Sequence, residues 1–289
     1  MEVILQILIN GILAASVYGL IAGGLSFLYA TTKIFHLAHG VVVVGGGYAF
    51  WWAAAKLGWP MWAAVIFALI VSALAGVAMN EFVYEVLRKK GTKGLGYLIA
   101  TLALLTLGTA VVLALFGAAP KTFNFETSSH EALGVVVTTL QFWIIATSAL
   151  LLGIFYWTQK FTKFGKAMRA TADNETVAEV LGIDTKRIRR SAFALSSILA
   201  AAAGILIGLE FNLDPNMGVL LAVKGFAASV IGGVGSFGGA IIGSLIIGIV
   251  EQVVVWFGGA GWRNAATFLI LFLFLLFKPS GLFGSKRET

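Results

Sequence analysis

From Val3 to Thr32 the chain carries no Asp, Glu, Lys or Arg, and apolar runs of this kind recur along its length. A run of about 20 apolar residues satisfies its backbone in hydrocarbon only by coiling into a helix. Further runs are read at 40–55, 61–80, 95–117, 139–158, 191–210, 239–257 and 264–278, with a shorter piece at 220–233. Composition agrees with this reading. Of 289 residues, 59% are hydrophobic and 11% charged, whereas soluble domains carry about 25% charged side chains. Disorder is excluded by the abundance of apolar residues. A transmembrane barrel is excluded because its short alternating segments are missing. The fold expected is all-α and polytopic: a bundle of about eight transmembrane helices with broken or re-entrant glycine-rich segments. The absence of cysteine excludes disulfides, thiolate metal sites and cysteine nucleophiles.

Charge gives the orientation, because loops on the cytoplasmic side hold an excess of Lys and Arg. Segments 81–93, 159–190 and 278–289 hold 15 of the 20 basic residues and 7 of the 13 acidic ones. These segments carry a net charge of +8 and the rest of the chain −1, so the overall +7 is gathered on one side of the membrane and is not a nucleic-acid footprint. Those three segments are expected to be cytoplasmic and the N-terminus to lie outside. Only Glu2 precedes the first run, so it does not read as a cleaved signal peptide. The piece at 220–233 is expected to enter the membrane and return, with an incomplete last span as the second possibility.

Segment 159–190 is the most informative. Asp173 or Asn174 is suited to cap a helix, and Gly182 to end it in the left-handed conformation. The helix between them has about two turns, too few for stability in isolation. Its apolar stripe is read as Val177, Ala178 and Leu181, followed by Ile183. Two readings stand side by side: a docking element for a partner, or a helix lying in the lipid headgroups.

The 35 glycines cluster. Gly19 with Gly23, and Gly204 with Gly208, have the four-residue spacing of close helix packing. Gly45, Gly46 and Gly47, and the stretch Gly232, Gly233, Gly235 and Ser236, are instead expected to break helices along a substrate path. His36 and His39 have a spacing that would share a helix face. With no third ligand nearby, no metal site is expected, and they are read as marking a polar break. Glu251 falls inside an apolar run, where a carboxylate faces a cavity or a partner, and an interhelical hydrogen bond or a place nearer the interface is the alternative reading. Lys224 and Arg263 are expected to snorkel. The sequence holds no P-loop, no nucleophile elbow and no paired-carboxylate motif, so no enzyme chemistry is assigned. A secondary transporter or channel working without an ATPase is the alternative that composition alone allows.

Four segments carry a resemblance. Lys33-Ile34-Phe35-His36-Leu37-Ala38-His39-Gly40 precedes a glycine-rich span. Glu81-Phe82-Val83-Tyr84-Glu85-Val86-Leu87-Arg88 forms a charged loop. The stretch from Arg169 to Ile183 follows. The fourth is Lys224-Gly225-Phe226-Ala227-Ala228-Ser229-Val230-Ile231-Gly232-Gly233-Val234-Gly235-Ser236. In this order they resemble the permease subunits of branched-chain (hydrophobic) amino acid ABC importers. His36 stands where the family has Asn, and Glu85 and Val86 stand where it has Arg and Pro. Related permeases carry urea, amides or aromatic acids, so these departures bear on the substrate more than on the fold.

The resemblance implies a single transmembrane permease domain over 1–289, with its coupling loop at about 159–190. It implies that Asn174, Val177, Ala178, Leu181, Gly182 and Ile183 belong to a coupling helix that enters a groove on a cytoplasmic ATPase. The implied partners are two ATPase subunits, a second homologous permease forming a heterodimer, a periplasmic substrate-binding protein and the lipid membrane, with no nucleic acid. No cofactor is implied in this chain, since ATP is bound by the partner subunits. The implied location is the bacterial inner membrane, multi-pass, with a periplasmic N-terminus and a cytoplasmic C-terminus. The resemblance implies a translocation path lined near Gly45, Gly46, Gly47, Gly232, Gly233 and Gly235, and Ser236, His36, His39 and Glu251 are expected to belong to the same path.

Overall fold

The computed structural model describes residues 1–123, 127–132 and 134–284, so Lys286 and Arg287 of the basic tail lie outside the described residues. Twelve α-helices are described: α1 (Glu2–Thr32), α2 (His39–Trp51), α3 (Met61–Met79), α4 (Glu85–Lys89), α5 (Leu95–Phe116), α6 (Thr139–Phe161), α7 (Lys163–Asp173), α8 (Glu175–Val180), α9 (Thr185–Glu210), α10 (Met217–Gly232), α11 (Phe237–Gly258) and α12 (Arg263–Phe277). Helix α2 continues into a π turn at Trp52–Lys56, and a second π turn at Asn80–Tyr84 joins α3 to α4. One antiparallel hairpin, β1 (Ser129–Ala132) and β2 (Val135–Thr138), precedes α6. Among the described residues, seven helices are long and apolar enough to cross a membrane, and α10 is a shorter apolar one. The chain is an all-α, polytopic membrane protein.

Helix α9 is the centre, with 72% of its most apolar window buried. Helices α1, α2 and α3 pack on it. The stripe of α3 that faces inward is small: Ala64, Ala68, Ser72 and Gly76 are buried at four-residue spacing, while Ile66, Ile70 and Leu74 point outward. This inverts the pattern of a soluble helix. Lipid solvates the large side chains, and small ones let helix backbones approach. Outward leucines and phenylalanines on α5 and α12, such as Leu98, Leu102, Leu269, Phe272 and Leu276, follow the same rule.

Two faces are defined by polar contacts. On one, the β-hairpin lies over the start of α1, where Gln6 exchanges hydrogen bonds with the backbone of Val136 at 3.1 and 3.3 Å. Thr138 then caps α6 in a reciprocal capping box with Gln141. On the other, residues of 81–88 pair with residues of α8 and α9. The two basic segments therefore share a side.

Helix α10 corrects the expectation of a re-entrant piece. It starts after Leu213, whose backbone pairs with Lys121 at 2.9 and 3.0 Å beyond the far end of α5. It ends at Gly232, which accepts a hydrogen bond from Phe283 beyond the end of α12, at 3.0 Å. It runs one way, from the side of the Lys121–Leu213 pairing to the side of Phe283. Four helices then follow the basic loop, and an even number of passes returns the chain to its starting side. The tail and 159–190 share a face without any re-entry.

The glycine run of α2 is corrected as well. Helix α2 passes unbroken through Gly45, Gly46 and Gly47, and the break lies earlier, at 33–38. Lys33, in the left-handed region at φ 58°, ends α1 and turns the chain. The glycines serve contact instead: a Cβ on Gly46 would stand 2.5 Å from Ala201 Cα, and one on Gly47 2.9 Å from the Gly204 carbonyl. Close packing of α2 on α9 outweighs the roughly 1 kcal/mol helix penalty of each glycine. Gly46→Val is expected to destabilise the chain by about 1–3 kcal/mol, because the displaced atoms are backbone and side chain of the central helix. A thermal melt of the detergent-solubilised protein tests this, and an unchanged midpoint would refute the contact.

Candidate functional site

Residues of the hairpin-side parts of α1, α6, α9, α10, α11 and α12 line a cavity of about 610 Å³. Its apolar wall includes Leu13, Val17, Ile144, Leu206 and Leu221, and its polar groups are Asn10, Tyr18, Gln141, Glu210, Lys224, Gln252, Arg263 and Asn264. This matches the general form of a small-molecule site, apolar with a few placed polar groups. Gln141 donates from Nε2 to Glu210 Oε1 at 2.8 Å, which fixes the carboxylate at the mouth.

Behind the wall stands Glu251, with no exposed surface. Lys224 Nζ meets its Oε1 at 2.7 Å, Tyr18 donates to its Oε2 at 2.9 Å, and Thr267 donates to Oε1 as well. Lys224 also donates to the Tyr18 hydroxyl at 3.0 Å, and its ammonium lies 5.1 Å from the centroid of that ring. The four groups form one closed network in which each charge has a partner, as burial demands. Lys224 therefore does not snorkel as expected. It is 3% exposed and held by α1 and α11, while still contributing to the cavity wall. The Nε of Arg263 is buried without a partner among the described residues.

The other sequence-predicted path residues do not line this cavity. His36 and His39 sit at the 33–38 break, fully inside the protein. His36 Nδ1 is 2.7 Å from the Tyr84 hydroxyl, and His39 Nδ1 is 3.4 Å from Ser196 Oγ. Among the described residues no group of three or more potential metal ligands exists. Gly232, Gly233, Gly235 and Ser236 form the turn from α10 to α11, where Ser236 Oγ accepts from Gly239 N at 3.1 Å and caps α11. Gly233, at φ 107°, packs against Phe283 and Gly284, on the face opposite the hairpin. Sequence reasoning missed Tyr18, Glu210 and the pairing of Lys224 with Glu251. A signal for the pair was present: opposite charges in two apolar segments joined by a short turn.

Helix α8 has the expected caps. Asn174 Oδ1 accepts from Val177 N at 3.0 Å, and Gly182 adopts φ 83° after the helix. Its apolar stripe differs from the expected one. Ala178 is 1% exposed and turns into the chain, whereas Val177, Val180 and Leu181 are 52%, 83% and 72% exposed. Residues i, i+3 and i+4 share a helix face, so Val180 replaces Ala178 in the outward stripe. Ile183 packs inward on the core.

Residues 7–277 match the family described as branched-chain amino acid transport system / permease component. The chain belongs to this family. It is 31% identical to the high-affinity branched-chain amino acid transport system permease protein LivH of Escherichia coli K12, over 97% of this chain and 95% of that one. Identity to BraD, the permease protein of the corresponding system of Pseudomonas aeruginosa, is also 31%, with the same coverage. The autoinducer 2 import system permease protein LsrC of Yersinia pseudotuberculosis is 30% identical, over 78% of this chain and 64% of that protein. A solved structure, PsaBC from Streptococcus pneumoniae in complex with Fab, shares the fold at a TM-score of 0.50 and 14% identity, covering 94% of this chain and 91% of that one.

Proposed function

We propose that this chain forms the translocation path of an ATP-driven importer for a branched-chain amino acid, working by alternating access. The observation that carries the reading is the 610 Å³ cavity, which sets side chains of both charge signs beside a wall of leucine, valine and isoleucine. An apolar amino acid presents the same combination: a carboxylate for Lys224 and Arg263, an ammonium for Glu210, and a branched side chain for the apolar wall. Urea and simple amides lack the apolar part, and the wall does not suit them.

In this reading the basic face is cytoplasmic and the hairpin face periplasmic, placing the N-terminus outside and the C-terminus inside, in a bacterial inner membrane. The cavity is then the outward-facing vestibule, filled from a periplasmic binding protein. Helix α8 presents Val177, Val180 and Leu181 to a groove on a cytoplasmic ATPase, which binds the ATP. A second, homologous permease completes a heterodimer over two ATPase subunits. Exposed apolar side chains aligned on a polar loop support this, since they are covered only when a partner seats on them.

The experiment is uptake by the reconstituted importer with its binding protein. Leucine, isoleucine and valine are expected to enter in an ATP-dependent manner, and a tenfold excess of urea or acetamide is expected to leave that uptake unchanged. Efficient uptake of urea, or uptake that persists without ATP, would overturn the proposal.

A further inference from the structure

The segment 81–88 takes no part in the cavity or in the exposed stripe, yet ion pairs concentrate on it. Arg189, buried near the start of α9, donates from Nε to Glu85 at 2.7 Å. One of its terminal nitrogens meets Glu175, the first residue of α8, and also Thr185 Oγ1 at 3.1 Å. Arg88 reaches the same Glu175 at 3.2 Å, and Thr185 donates to Glu179 at 2.6 Å. Glu175 and Glu179 lie one turn apart, so both ends of the short helix α8 are tied to α9 and α4. The rigid guanidinium fork suits Arg189 to hold two carboxylates at once.

On the exposed side, Arg190 clasps Glu81 of the π turn Asn80–Tyr84 at 2.9 Å, and inward the buried Glu85 held by Arg189 directly follows Tyr84 of that turn. The Tyr84 hydroxyl lies 2.7 Å from His36 Nδ1, in the break that leads into α2. Gly40 of α2 packs on Gly218 of α10, the helix that carries Lys224 at the cavity. A π turn closes i→i+5 hydrogen bonds, one residue wider than those of the α-helix, and such turns recur at functional sites.

We propose that Arg189 is a positioning residue of the transport cycle, transmitting displacement of α8 into the π turn and, through Tyr84 and His36, to α2 and α10 at the cavity. The proposal rests on the reading of α8 as the ATPase contact. It assigns to the charged loop a task separate from docking: docking belongs to Val177, Val180 and Leu181, transmission to the polar groups beneath them.

The test uses the full importer with Arg189→Lys, which keeps the charge but loses the fork, Glu175→Gln, and Tyr84→Phe, which deletes only the hydroxyl on His36. ATPase recovery with the permease, ATP turnover and uptake are measured together. Recovery and turnover are expected to persist while uptake per ATP falls about tenfold, within the range of coupling between sites. Unchanged uptake per ATP in intact complexes of Glu175→Gln and Tyr84→Phe would overturn the proposal. Loss of ATPase recovery in Glu175→Gln would overturn it too, by making the network a support of the docking face. If the unaltered complex shows no ATP-dependent uptake, the importer reading itself falls, and this one with it.

Discussion

Lys224→Met is expected to abolish uptake and to destabilise the solubilised protein by about 3–5 kcal/mol, since it leaves Glu251 buried without its cation. Tyr18 and Thr267 still donate to that carboxylate, but neither carries a charge to offset its burial. The double variant Lys224→Met with Glu251→Gln removes both charges. It is expected to regain most of the stability, because a neutral pair of similar volume replaces the ion pair without an orphan. Uptake separates the two roles of the pair. If the ammonium receives the substrate carboxylate at the cavity wall, the double variant stays inactive although well folded. Recovery of uptake together with stability would make the pair a strut between α10 and α11 and remove Lys224 from the path. A melting curve and a transport assay on the same three proteins decide between these outcomes.

The second large effect is expected at α8. Leu181→Arg places a charge on a stripe that would otherwise be covered. Burial of a leucine is worth about 1.5–3 kcal/mol, so its loss weakens ATPase association by roughly 10- to 100-fold. Gly182→Val acts differently. The backbone there has φ 83°, which costs a β-branched residue on the order of 1–2 kcal/mol, and the turn after α8 shifts to relieve it. Both variants are expected to insert in the membrane as the parent does, since neither residue has a part in the bundle core. Recovery of the ATPase with the purified permease reads the effect. Undiminished recovery in both would show that the stripe is covered by something else, with lipid headgroups the leading occupant.

Helix α8 also illustrates how far residues can be read alone. Its caps were legible because capping is local: Asn174 and Gly182 act on groups within four residues in the chain. Its outward face was not, because whether Ala178 or Val180 points away depends on where α9 lies, and α9 is placed by contacts far off in sequence. The same division holds for glycine. Gly45, Gly46 and Gly47 read as a weak point in a helix, since propensity is a local cost. Only the approach of Ala201 and Gly204 shows that the cost is offset by packing across α2 and α9. Glu251 was legible as a group in need of a partner, because no isolated charge is stable in hydrocarbon. Its partner was not, because Lys224 and Tyr18 reach it from helices whose rotation the sequence does not state.

The sequence by itself therefore determined the class of protein, the apolar segments that cross and the side on which positive charge gathers. These follow from the transfer of side chains and backbone between water and lipid, a property of each segment taken singly. The tertiary structure decided which way α10 runs, where the cavity lies, which side chains line it, and that the loop at 81–88 is paired with helices α8 and α9. Those depend on the relative rotation and depth of helices that are all apolar to lipid. Between such helices no hydrophobic contrast sets the register, and it falls to close contacts of small residues and to a few buried polar pairs.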